Sequence, residues 1–223
     1  MRRLESDLEQ LNQQLLEMGA LVASSVHRST QSLIDKNQVL AHQVLRDEAR
    51  VDQMEIQIDD LVTSMIVLTQ PVARDMRMVI AAIKINTDLE RMGDLAVGIV
   101  ERSLSLMHQP ALPSLNRFST LAQLVESMVL ESLDSFIKRD ADIAHKILLS
   151  DDAVDNHRNE ITQELVSAMQ ADPEIIPRAL DLIVIARNLE RIADHATNVA
   201  EEVIFLVKGE VVRHMSELVS APL

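Results

Sequence analysis

The 223-residue chain contains no cysteine, tryptophan or tyrosine, only three phenylalanines and only four glycines. Without cysteine there is no disulfide framework, no thiolate zinc site and no cysteine nucleophile. So few glycines and aromatics argue against a β-sandwich or barrel, which needs turn residues and aromatic strands. Long apolar runs are also missing. The stretch from Met78 to Ile83 is far below the roughly 18–20 residues that a membrane span requires. Basic charge is in deficit, with 21 Lys and Arg against 35 Asp and Glu and a net charge of −14. A nucleic-acid partner, whose phosphates need a basic footprint, is thereby disfavoured. The N-terminal stretch turns polar at Glu5 without an apolar signal core, so a cytoplasmic location is expected.

What remains is aliphatic and helix-forming. Leu, Ile, Val, Ala and Met carry most of the 47% hydrophobic content, and the unbranched members of that set favour helices. The composition and its sparse punctuation predict an all-α fold of six long helices. In the first, apolar residues recur at Leu4, Leu8, Leu11, Leu15, Met18, Leu21, Val22, Val26 and Leu33. The pattern fades at Asp35-Lys36-Asn37. A second stripe runs from Val39 or Leu40 through Val44, Val51, Met54, Ile58, Leu61 and Met65 to Leu68, and Pro71 closes it. The third helix is predicted from about Ala73 to Met107. Residues 108–114, with Pro110 and Pro113, read as a linker. Helices follow at about 115–138, 140–170 and 177–207, with Pro177 suited to a first turn and Gly209 to a C-terminal cap.

The two halves repeat each other. Ser32-Leu33-Ile34, Ala41-His42 and Val51-Asp52 reappear as Ser135-Phe136-Ile137, Ala144-His145 and Val154-Asp155, at a constant offset of 103. Leu89-Glu90-Arg91-Met92-Gly93-Asp94 reappears as Leu189-Glu190-Arg191-Ile192-Ala193-Asp194 at an offset of 100. Shared apolar spacing is common among helices, but shared His, Asp and Leu-Glu-Arg-x-x-Asp elements in the same order are not. The chain therefore reads as two pseudo-symmetric three-helix bundles. Residues 1–107 form the first, 108–114 the linker, 115–209 the second, and 210–223 a loosely held tail.

Duplication also places the acids. Glu90, Asp94 and Glu101 share one helix face, and so do Glu190, Asp194 and Glu201. Steps of 4 and 11 residues rotate by only about 40° and 20° from the first residue. Like charges at i,i+4 repel, and a hard cation held by carboxylate oxygens would relieve them. Asp52 and Asp155, equivalent residues of helices two and five, are the next candidate ligands, with Asp59 seven residues beyond Asp52. The alternative is a solvated acidic face paired with Arg91 and Arg191. His42 and His145 read as ordinary imidazoles near helix starts. No Glu-x-x-His pair stands at corresponding positions, which disfavours di-iron oxygen chemistry. Nucleophile-elbow, Walker, dinucleotide and HExxH motifs are absent. The eleven methionines read as core filler, although exposed ones could serve a binding surface.

These segments resemble the PhoU family. The two Leu-Glu-Arg-x-x-Asp signatures match, as does the run from His195 to Glu202. Pro71-Val72-Ala73-Arg74-Asp75-Met76-Arg77 is similar to the family's P-x-A-x-D-L-R segment, with Met76 where Leu is usual. The resemblance implies two pseudo-symmetric three-helix bundles. It implies that Glu90, Asp94, Glu190 and Asp194 help to bind metal, with iron, zinc, magnesium and manganese as the candidate ions. It also implies an adaptor rather than an enzyme. Such a protein would meet the ATPase subunit of a phosphate ABC transporter and a sensor histidine kinase, and would be peripheral to the membrane through them. It would repress the phosphate-starvation response and restrain uptake. The turn carrying Asp75 and Arg77 is the expected partner contact, and a homodimer is the expected assembly. An accessory protein of a secondary phosphate carrier and a metal-dependent hydrolase are the alternative functions.

Overall fold

A computed structural model describes residues 2–72, 74–112 and 115–209. Ala73, the last two residues of the expected linker and the expected tail at 210–223 lie outside the described residues. Six α-helices form the fold: α1 (Arg2–Ile34), α2 (Gln38–Thr69), α3 (Arg74–Leu106), α4 (Leu115–Lys138), α5 (Ala141–Ala171) and α6 (Ile176–Lys208). A single 3₁₀ turn, Pro173–Ile175, joins the last two. No strand occurs among the described residues.

Each half is a three-helix bundle. In the first, α1, α2 and α3 pack on one another, and in the second α4, α5 and α6 do the same. The halves meet through α1 against α4 and α3 against α6. The four central helices α1, α3, α6 and α4 thus pack in a closed ring as a four-helix bundle, with α2 and α5 on the outside.

Local chemistry ends and restarts the helices at equivalent places. Lys36 and Arg139, at φ 50° and 54°, turn the chain in the left-handed region. The next residue is in each case an N-cap. Asn37 accepts from the amides of Val39 and Leu40, and Asp140 from those of Asp142 and Ile143. These bonds satisfy amides that lack intrahelical partners. At the far end Gly209, at φ 75°, caps α6 and donates its N–H to the Phe205 carbonyl, as its position in the sequence predicts.

The core follows the apolar periodicity. Leu11, Leu15, Met18, Val22, Val26 and Leu33 of α1 are buried. Ala41, Val44, Val51, Ile58 and Val62 line the inner face of α2, and Ala144, Ile147, Val154, Ile161 and Leu165 repeat them on α5. Every described methionine is buried or half-buried. Methionine therefore fills the core, as its place at apolar positions of the sequence leads one to expect. The large apolar residues that do face solvent are aliphatic, including Val39, Val72 and Leu149. No described helix is long and apolar enough to cross a membrane.

Candidate metal centre

The α3–α6 contact sets the frame for the acids. Lys84 of α3 donates from Nζ to both Glu202 oxygens, at 2.9 and 3.0 Å. Arg102, near the other end of α3, reaches Asp181 Oδ1 at 3.4 Å. The two helices are therefore antiparallel, as a twofold relation between the halves requires. Asp88 Oδ1 lies 2.8 Å from His195 Nδ1 and accepts from Asn198 at 3.4 Å. The symmetry-related position 188 is an asparagine, whose Nδ2 sits 2.8 Å from where a Cβ on Gly98 would stand. Glycine at 98 admits that side chain, so this contact needs no Cβ there.

On the outer side of this pair, the acids of α3 face those of α2. Burial raises the Glu90 carboxyl above its ordinary range, and Asp94 and Glu55 push it further while Arg91 opposes them. Glu48 is raised by burial and then by Asp52, Asp94 and Glu101. Glu55 is raised by burial, Asp59 and Asp52. Carboxylates from both helices thus share one field, and each destabilises the ionised form of its neighbours. Arg91 Nε lies 3.3 Å from Glu90 Oε2, and its Nη1 lies 3.4 Å from Asp94 Oδ2.

The second half repeats the arrangement between α5 and α6. Asp194 is raised by burial, Glu190 and Asp155, with His195 and Arg191 opposing. Half-buried Asp151 is pushed up to about 6, first by burial and then by Asp194, Asp155, Asp152 and Glu190.

The structure therefore brings Glu90, Asp94, Glu101, Asp52 and Asp59 into one acidic cluster and Glu190, Asp194 and Asp155 into another. Glu201, on α6 about two turns beyond Asp194, is half-buried. Glu48, Glu55 and Asp151 were missed by the sequence reading. Glu48 and Asp151 are equivalent at the offset of 103, so the repeat itself carried a signal for that pair. His145 Nδ1 lies 2.7 Å from the Ala141 carbonyl oxygen, as befits an ordinary helix-start imidazole. His42 is exposed.

The donor set is carboxylate oxygen, which suits hard cations. Among the described residues, however, no three acidic or imidazole groups already converge into a ligand cage. The acids approach without closing.

Asp75 and Arg77 lie apart from both clusters. They line a cavity of about 150 Å³ at the bundle end with Met78, Arg139, Leu206 and Val207. The start of α3, the α4–α5 turn and the end of α6 meet there.

Comparison with known proteins gives a consistent result. The PhoU domain family matches residues 15–103 and again 118–203. A phosphate-specific transport system accessory protein PhoU homolog of Pseudomonas aeruginosa is 38% identical over 96% of this chain and 89% of its own length. The homolog of that name from Aquifex aeolicus is 39% identical over 95% of this chain and 96% of its own. Among solved structures, PhoU from Pseudomonas aeruginosa superposes with a TM-score of 0.89 at 38% identity, over 92% of this chain and 99% of that one. The phosphate transport system regulatory protein PhoU from Streptococcus pneumoniae gives 0.87 at 27% identity, over 94% and 99%.

Proposed function

Because the chain belongs to the PhoU family, we propose that it is an accessory protein of a phosphate-specific transport system. In this reading it is a cytoplasmic adaptor, peripheral to the membrane through its partners. It couples the ATPase subunit of a phosphate ABC transporter to a sensor histidine kinase. When phosphate is plentiful it represses the phosphate-starvation response and restrains uptake. The observation that carries the reading is similarity over nearly the whole chain to relatives named as accessory proteins. Such names favour an adaptor over a hydrolase.

The acidic clusters supply the mechanism. Glu90 and Asp94 with Asp52, and Glu190 and Asp194 with Asp155, would hold divalent or trivalent cations, with Glu101, Glu201 and Asp59 nearby. Iron, zinc, magnesium and manganese all suit oxygen donors to differing degrees. A bound cation supplies positive charge to a face that is otherwise repulsive. The raised carboxyls of Glu48, Glu55 and Glu90 support this, because they record repulsion that a cation would offset. Since the acids do not converge, cation capture would have to draw exposed side chains such as Asp94 inward. The face then becomes able to meet an acidic partner, a lipid headgroup or a phosphate-bearing ligand. Asp75 and Arg77, at the bundle end, provide the partner contact, and two copies associate as a homodimer.

Two experiments test the proposal. Affinity purification from cells grown in high phosphate should recover the transporter ATPase, and deletion should switch on starvation genes in the same medium. Recovery of a secondary phosphate carrier instead would overturn the transporter assignment. Metal analysis of the Glu90→Ala/Asp94→Ala/Glu190→Ala/Asp194→Ala variant should show lost stoichiometry. Unchanged stoichiometry would remove the metal role.

A further inference from the structure

The contact between α3 and α6 carries a break in the internal symmetry. The offset of 100 relates Asp88, Leu95 and Gly98 to Asn188, His195 and Asn198. On one side of the contact the polar residues close on one another. Asp88 Oδ1 lies 2.8 Å from His195 Nδ1 and 3.4 Å from Asn198 Nδ2. An ionised carboxylate only accepts, so His195 Nδ1 carries the proton of that bond. On the other side Asn188 meets Gly98, which has no side chain, and Leu95 offers no polar atom. Asn188 forms no hydrogen bond among the described residues.

The missing side chains leave a cavity of about 240 Å³, whose lining includes Gly98, Asn188, His195, Arg91, Arg191 and Asp94. Pockets for drug-sized molecules run to roughly 300–1,000 Å³, so the fit here is to a small ligand.

Charge selects the kind of ligand. Arg91 and Arg191 are equivalent residues of the two repeats, brought to one cavity by the crossing of α3 and α6. Guanidinium groups stay protonated, and their paired N–H donors match the oxygens of a phosphate group. Arg91 is already shared, 3.3 Å from Glu90 Oε2 and 3.4 Å from Asp94 Oδ2. Arg191 acts on Asp194 through space, but it forms no hydrogen bond or ion pair among the described residues. It is the cation left for a ligand. Asp94 then makes the site selective. Its carboxylate repels a fully ionised oxyanion but accepts a hydrogen bond from one that keeps a proton. Monohydrogen phosphate has a P–OH group at neutral pH, and sulfate has no such donor.

We propose that this cavity binds a small protonated oxyanion of the phosphate class. Arg191 is its main cation, Asn188 a neutral donor, and Asp94 the acceptor for the P–OH group. The inference goes beyond the adaptor and cation readings and depends on neither.

The test is calorimetric titration of sodium phosphate into the full chain, in chelator and at fixed ionic strength, with sodium sulfate as a second arm. Phosphate should bind once per chain, and sulfate about tenfold more weakly or less. Arg191→Gln should weaken phosphate by about tenfold or more, as expected for a lost hydrogen bond to a charged group. Gly98→Ala places a Cβ 2.8 Å from Asn188 Nδ2 and so displaces that side chain. It should weaken phosphate as well, while a melt shows the fold kept, because alanine favours a helix over glycine. Asp94→Asn should bring sulfate closer to phosphate. Arg117→Gln removes the same charge from α4, away from the cavity, and should leave the phosphate Kd within about a factor of two. No phosphate binding by the wild type, equal binding of sulfate, or equal losses in Arg117→Gln and Arg191→Gln would overturn the site. Co-sedimentation with phosphatidic acid vesicles without any response to free phosphate would place the phosphate group on a lipid, and would overturn the assignment of a free ligand.

Discussion

Replacing Asp151 by asparagine should stabilise the metal-free protein at alkaline pH and do about half as much at pH 5. The carboxyl lies between α5 and α6, raised from 3.8 to about 6 by burial and then by Asp194, Asp155, Asp152 and Glu190. A raised value means that the folded chain holds this proton more tightly than the unfolded chain does. Below the unfolded value of 3.8 both states are protonated, and the group costs nothing. As pH climbs to about 6 the unfolded chain ionises freely while the folded one resists. Above that range the whole penalty applies. A shift of this size corresponds to about 3 kcal/mol. Because the side chain is only half-buried, solvent screening reduces that to roughly 1–2 kcal/mol. For a chain of this length the midpoint of melting should rise by roughly 2–8 °C. The measurement is thermal and urea unfolding followed by circular dichroism, in chelator, at pH 8 and pH 5. If Asp151→Asn gains nothing at pH 8, or gains as much at pH 5, then the acids do not repel one another in this way.

Three further outcomes are expected. Lys84→Met removes both hydrogen bonds to nearly buried Glu202 across the α3–α6 contact. It should cost about 1–3 kcal/mol, less than a fully buried pair because Lys84 is partly exposed. A double-mutant cycle with Glu202→Gln that shows no coupling would refute this. Gly93→Ala places a Cβ 3.3 Å from Val51 Cγ1, and the equivalent residue of the second half is already Ala193. Better helix propensity, by up to about 1 kcal/mol, should offset the tighter contact. Urea unfolding should therefore show stability kept or slightly raised, and a clear loss would mean that α2 cannot shift. Asp140→Ala removes the side-chain cap from two amides at the start of α5. It should cost about 1 kcal/mol, read as a lower urea midpoint, and an unmoved midpoint would show that water caps this end equally well.

Much of the fold was legible because it rests on local and periodic properties. Val44, Val51 and Ile58 lie seven residues apart, and that spacing already places them on one face. Helix ends could be read where Asn37, Pro71 and Gly209 act on their own backbone. The repeat gave the pairing of the halves, and it set Glu90 and Asp94 beside Glu190 and Asp194 as two like stripes. Glu48 is marked only by its equivalence with Asp151, and nothing in α2 marks Glu55. Their role appears only when α2 lies against α3.

The sequence by itself determined six helices, a twofold repeat and an acidic stripe in each half, because periodicity and duplication are properties of the chain alone. Which acids share a field was decided by tertiary structure, since Coulomb interaction depends on distance in space. Contacts such as Lys84 with Glu202, 118 residues apart, follow the same rule. In the chain, Arg158 is one more cation on a polar helix, and Asn86 is one more amide. Only packing sets Arg158 against Asp155 and Glu190, and buries the Asn86 oxygen without a donor.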